Sequence, residues 1–194
     1  MHADLLALRA ALEGFEERLW ASGAPTPRQL RAGLSTGEID VFTKDLPFRL
    51  SAELHEYFAW HDGAEILEGP ESPWFPNRSG LNSLAQCVTD YWYWRESPAG
   101  IFEYEQTWLP INNLDNQAIV IDCAVGPGEA SPIHVVGWES HGDWAVVKAP
   151  SVLALVQLWN RMLDEGYWTW DPDVGEWADT WASIPSEFKA TELI

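Results

Sequence analysis

Ala118-Ile119-Val120-Ile121-Asp122-Cys123 is the stretch from which the fold class of this chain can be read. The run is short for a helix, and its β-branched side chains suit a pleated, covered surface. Three similar runs lie around it, Trp108–Ile111, Ile133–Trp138 and Trp144–Val147, separated by Asn, Asp, Gly and Pro. Short apolar segments with turn residues between them predict an antiparallel meander.

Beyond the last of these runs, Pro150-Ser151 opens a helix on which Leu155, Val156, Trp159, Met162 and Leu163 share an apolar side until Gly166 ends it. The tail that follows sets Trp168, Trp170, Trp177 and Trp181 beside Asp171, Asp173, Glu176 and Asp179. That much indole surface favours cover over disorder, so the tail is expected to pack back on the domain.

On the N-terminal side of the meander, Leu84, Val88, Tyr91, Trp92 and Arg95 fall at mostly helical steps, although Tyr91-Trp92-Tyr93-Trp94 would suit a strand equally well. Residues 64–80, rich in Pro and Gly and carrying Glu65, Glu68, Glu71 and Trp74, read as an exposed loop. Before the loop, Ser35-Thr36-Gly37-Glu38 matches a capping box, with Ile39 and Phe42 facing inward. Ser51 caps another helix, with Leu54, Tyr57 and Phe58 inward and Gly63 at its end. Leu5, Leu8, Leu12, Phe15 and Leu19 form the stripe of a first amphipathic helix, closed by Pro25 and Pro27 and read as an appendage. The resulting fold class is α+β, a mainly antiparallel central sheet flanked by helices. Its organisation is an N-terminal helix and linker at 1–33, a core domain at 34–166 and a Trp-rich acidic tail at 167–194.

The chain has 194 residues, 46% of them hydrophobic, which is enough for one sizeable core. Thirty acidic against eleven Lys and Arg residues give a formal net charge of −19. Such a chain repels nucleic-acid phosphates and anionic membranes and favours a basic protein partner, although solubility alone would account for the total equally well. Placement breaks the tie. No Lys or Arg occurs between Arg95 and Lys148, where Glu96, Glu103, Glu105, Asp115, Asp122, Glu129, Glu139 and Asp143 all fall, so the sheet region reads as negative. Cys87 and Cys123 have neither CxxC spacing nor a His pair and read as buried free thiols. No signal-peptide pattern and no run of 18 apolar residues is present, and cytoplasmic residence is the default expectation.

The order of these elements resembles the SUKH superfamily, the Smi/Knr type of bacterial immunity proteins and fungal cell-wall assembly regulators. Leu46-Pro47 followed by the run from Leu50 to Gly63 is similar to the family's leucine-proline, helix, polar residue and glycine segment. Trp108-Leu109-Pro110-Ile111 looks like the strand that opens its sheet, and the run from Ser151 to Trp159 looks like its closing helix. The likeness covers about residues 34 to 165; the abundance of Trp and the weak helix after the loop depart from it. It implies a binding module without a catalytic centre, and for the bacterial members neutralisation of a toxin, often a nuclease, by direct association.

The chemistry-bearing residues point the same way. His55 and His61 lack the spacing of a helical metal pair, and His134, Glu139, His141 and Asp143 are ordinary for an exposed turn. No GxSxG, Walker or GxGxxG sequence occurs. The acid pairs Glu103 with Glu105 and Asp171 with Asp173 could serve a glycosidase, but acids without basic neighbours are more often solvated charge. The reading is therefore non-catalytic, without metal or cofactor. Glu65, Glu68, Glu71, Trp74, Glu103, Glu105, Glu139 and Asp143 are the expected partner-binding residues, with acids steering association and Trp74 the leading aromatic anchor. Trp92, Trp94, Trp138 and Trp144 read first as core. A cytoplasmic regulatory scaffold and a carbohydrate-binding module that stacks sugars on Trp faces stay open as alternatives.

Overall fold

In the computed structural model the described residues are 2–65, 81–96, 106–114, 117–126, 128–137 and 146–179. The meander forms a four-stranded antiparallel sheet in the order β1-β2-β3-β4, with β1 Trp108–Leu114, β2 Gln117–Asp122, β3 Ile133–Gly137 and β4 Val146–Ala149. Leu109 pairs with Ile121, and Ile121 in turn with Ile133. Pro110 cannot donate to a ladder, and it lies where such a residue is tolerated, on the edge strand β1 at a register shift between Pro110 and Asn112.

The unbroken apolar run in β2 has a physical reason, because a strand covered on one face alone would alternate with polar residues. Ala118, Ile119, Val120 and Ile121 are all at most 1% exposed. Ile119 and Ile121 join the main core with Leu109, Ile133 and Val135. Ala118 and Val120 join Trp94 and Trp108 in a second cluster on the opposite face. The sheet is thus buried on both sides.

Among the described residues five α-helices accompany it: α1 Leu5–Ala21, α2 Thr36–Thr43, α3 Ala52–Trp60, α4 Leu84–Glu96 and α5 Val152–Asp164. The aromatic run near Trp92 is helical, with Tyr91 and Trp94 buried and Trp92 partly so. Ser35 and Glu38 form the predicted capping box, and Ser51 and Ser151 accept from the Leu54 and Ala154 amides. Phe42 departs from expectation: it is 39% exposed and Val41 is 66% exposed, because the short α2 buries only Ile39. Gly63 serves a different purpose from the one predicted. The helix α3 already ends at Trp60 with an extended His61, and Gly63 at φ +69° lies so close to Leu81 and Asn82 that a Cβ would come within 2.5 Å of their backbone.

Helix α1 is part of the main core. Leu8, Leu12, Phe15 and Leu19 are at most 2% exposed, and the helix packs along α5 and α3. Asn160 Nδ2 donates to the Ala11 carbonyl at 2.9 Å, and Arg18 makes a two-pronged contact with Asp164 at 2.7 and 2.9 Å. The stripe read as an appendage therefore lies in the interface on which α5 rests.

Glu53 ties three parts of the chain together. Its carboxylate is 1% exposed and accepts from the amides of Ser131 at 2.6 Å, Val152 at 3.3 Å and Leu153 at 3.3 Å. Val152 and Leu153 open α5, where helix amides have no partner of their own, and the dipole there favours negative charge. A carboxylate from α3 thus completes the cap that Ser151 begins. Asp62 acts in the same way on α4, accepting from the Leu84 amide at 2.7 Å.

Candidate functional site

Of the eight residues expected to bind a partner, Glu65 is described. Glu68, Glu71, Trp74, Glu103, Glu105, Glu139 and Asp143 lie outside the described residues, as do His141, Trp138, Trp144 and Trp181. Glu65 is exposed, and its amide donates to the Gln29 carbonyl at 2.8 Å. Gln29 ends a 3-10 turn, Thr26–Gln29, and the hydroxyl of Thr26 at its start accepts from Trp177 Nε1 at 3.0 Å. Glu65 and the tail are thereby attached to the two ends of one turn.

The tail from Trp168 to Asp179 forms a hairpin that the sequence reading did not resolve into strands. β5 Trp168–Asp171 pairs with β6 Glu176–Asp179, placing Trp170 opposite Trp177 with ring centroids 5.8 Å apart, edge to face. Cross-strand aromatic pairs of this kind contribute more than their area, and Trp168, 3% exposed, anchors the hairpin in the main core. The turn is built by Asp171, whose Oδ1 accepts from the Asp173 and Val174 amides at 2.9 and 3.2 Å. Gly175 adopts φ +78°, the left-handed conformation such a turn requires of its last residue. The signal for these strands was present in the alternation Trp168-Thr169-Trp170-Asp171 and in the Asp-Pro-Asp-Val-Gly turn.

At the tip, Asp173 and Glu176 are exposed, their carboxylates have no cationic partner among the described residues, and Val174 between them is 67% exposed. Trp170 and Trp177 are half-buried at the next pair of the ladder, on the face opposite Glu176, and Arg28 is an exposed cation on the neighbouring 3-10 turn. Exposed acids and partly covered indoles on one short element are residue types that protein interfaces use, charge at the rim and aromatic surface at the centre.

In the four-stranded sheet region, Glu103, Glu105, Asp115, Glu139 and Asp143 lie outside the described residues. Asp122 is the sheet's one described acidic position, and that carboxylate accepts from Thr107 Oγ1 at 3.0 Å and the Ala124 amide at 2.8 Å. Glu129 likewise closes a loop by accepting from the Gly126 amide at 2.8 Å. These acids shape turns at the sheet's end.

The remaining candidates are separated. His134 is 7% exposed and stacks on Trp108 at 4.5 Å. His61 lies between Glu16 Oε2 and the Arg31 carbonyl, whereas His55 belongs to the first turn of α3. Among the described residues no group of three or more His, Cys, Asp and Glu side chains is placed to hold a metal ion. Cys87 and Cys123 are buried free thiols; burial raises Cys87 well above the ordinary thiol range and pushes Cys123 up to about 12. A thiol that stays protonated is a poor nucleophile. No described helix is long and apolar enough to cross a membrane. No family model matches the chain, and no curated protein matches it.

Proposed function

We propose that the chain is a non-catalytic protein-binding domain of the SUKH type, an immunity protein that neutralises a basic toxin by direct association. The observation that carries this reading is the β5–β6 hairpin, which exposes the carboxylates of Asp173 and Glu176 without cationic partners among the described residues and also carries the half-buried Trp170–Trp177 pair. Glu65, exposed and joined through its amide to the same 3-10 turn, is a further acid of that region. The net charge of −19 supplies the long-range attraction, and the aromatic surface supplies residence time once contact is made.

Co-expression with the products of neighbouring genes tests the reading. One of them is expected to be toxic alone, harmless with this chain, and recovered in complex with it. The association rate should fall by about an order of magnitude as salt rises from low to physiological, as steered encounters do. If no neighbouring product is toxic and none binds, the immunity reading fails. Binding to oligosaccharides that is indifferent to salt would instead support a carbohydrate module.

A further inference from the structure

A cavity of about 660 Å3 opens between the C-terminal half of α2, the segment that follows it and the first turn of α3, and it shares no residue with the hairpin surface. Leu46 and Leu50, each 8% exposed, supply apolar lining, while Lys44, Arg49, His55 and Asp40 supply the polar groups. In a chain with 30 acidic residues against 11 Lys and Arg, a lining with two permanent cations and an imidazole against a single carboxylate is locally far less negative than the chain as a whole.

The donors are available. Among the described residues, Arg49 is exposed and neither it nor the His55 ring has a hydrogen-bonding or ionic partner. Lys44 meets only the exposed Asp45, at 4.0 Å, a separation at which an exposed pair contributes little. Asp40 in the lining and Asp45 beside Lys44 carry as much formal charge as Lys44 and Arg49, so the unpaired Arg49 is the group the groove offers to an acid. Beside the rim, α2 carries the exposed Val41 and Phe42, and Val41 lies three positions before Lys44 on neighbouring helical surface.

We propose that this groove receives an acidic, extended segment of a partner protein, with a carboxylate held between Arg49 and His55 and an apolar side chain laid against Leu46, Leu50 or Val41. Guanidinium and carboxylate match as planar two-pronged partners, which favours Arg49 as the recognition group. Leu46, Pro47, Phe48 and Leu50 give the groove an apolar lining that a small anion would leave uncovered. The site uses none of the hairpin residues, so it stands or falls separately from the toxin-binding reading.

Selection of a displayed random peptide library against the immobilised full chain at low salt tests it. Enriched sequences are expected to carry Asp or Glu within a few positions of Leu, Ile, Phe or Trp. A synthetic peptide of that kind should lose about tenfold in affinity on Arg49→Ala and on Val41→Asp, the scale of one charge-assisted contact, and less on Arg49→Lys. Both positions are exposed, so thermal unfolding of these variants should match the unmodified chain. The proposal is overturned if nothing is enriched, if basic peptides are selected, or if the variants bind as tightly. It is also overturned if inorganic phosphate alone perturbs the Arg49 and His55 resonances while no peptide is selected, since that marks a small-anion site.

Discussion

Removing the Glu53 carboxylate would leave the amides of Ser131, Val152 and Leu153 without their acceptor. Glu53→Ala is therefore expected to lower stability by about 3 kcal/mol in denaturant unfolding, with Glu53→Gln costing less because an oxygen acceptor remains. An undiminished midpoint for Glu53→Ala would show that water replaces the carboxylate. Gly33 is constrained as tightly by shape, since a Cβ there would sit 1.9 Å from the Ala59 carbonyl oxygen, a backbone atom that cannot turn aside. The two thiols give a chemical readout of burial. At pH 8 neither Cys87 nor Cys123 is expected to react with a thiol reagent in the folded chain, and both should react once it is unfolded. Rapid native labelling of either would contradict the burial described. At this scale the sequence was informative about caps and silent about Glu53, because an acid on a helix carries no mark of the distant amides it will meet.

Between elements, the contact of α1 with α5 has a pH signature. The hydrogen bond from Arg18, aided by its charge, holds the Asp164 carboxyl below its ordinary range. A carboxylate depressed in the fold adds stability above its unfolded pKa, and that contribution is lost as pH falls through the depressed value. Both side chains are substantially exposed, at 36% and 52%, so the contribution is about 1 kcal/mol or less. Carbon-detected titration should show Asp164 returning towards the ordinary value in Arg18→Gln; an unchanged titration would mean that the pair does not persist in solution. The helical stripes and short strands were legible because their period is local. The β5–β6 hairpin was not legible as strands because two four-residue strands, with three tryptophans set among acids, alternate over too short a run to stand out from an aromatic and acidic composition.

Across the whole molecule, the place of α1 is decisive. Burying Leu8, Leu12, Phe15 and Leu19 contributes about 1.5–3 kcal/mol each, so together they rival the stability of a typical domain. A chain beginning at residue 25 is expected to lose cooperative unfolding and near-ultraviolet ellipticity, whereas an appendage could be removed without either loss. The net charge acts at the same scale: acidic self-repulsion is screened by salt, so moderate salt should raise the unfolding midpoint even as it slows association with a basic partner.

The sequence by itself determined the α+β class, the helix caps at Ser35, Ser51 and Ser151, and the antiparallel meander around Ile119, since periodicity and hydrogen-bonding chemistry act between residues close in the chain. It also identified the acids and tryptophans of the tail as belonging together. Only the tertiary structure decided that α1 lies in the core, that Glu53 caps α5 from another helix, and that Glu65 and the hairpin meet on one 3-10 turn. Those outcomes depend on which surfaces find each other across many residues, and a covered stripe reads the same in sequence whichever partner covers it.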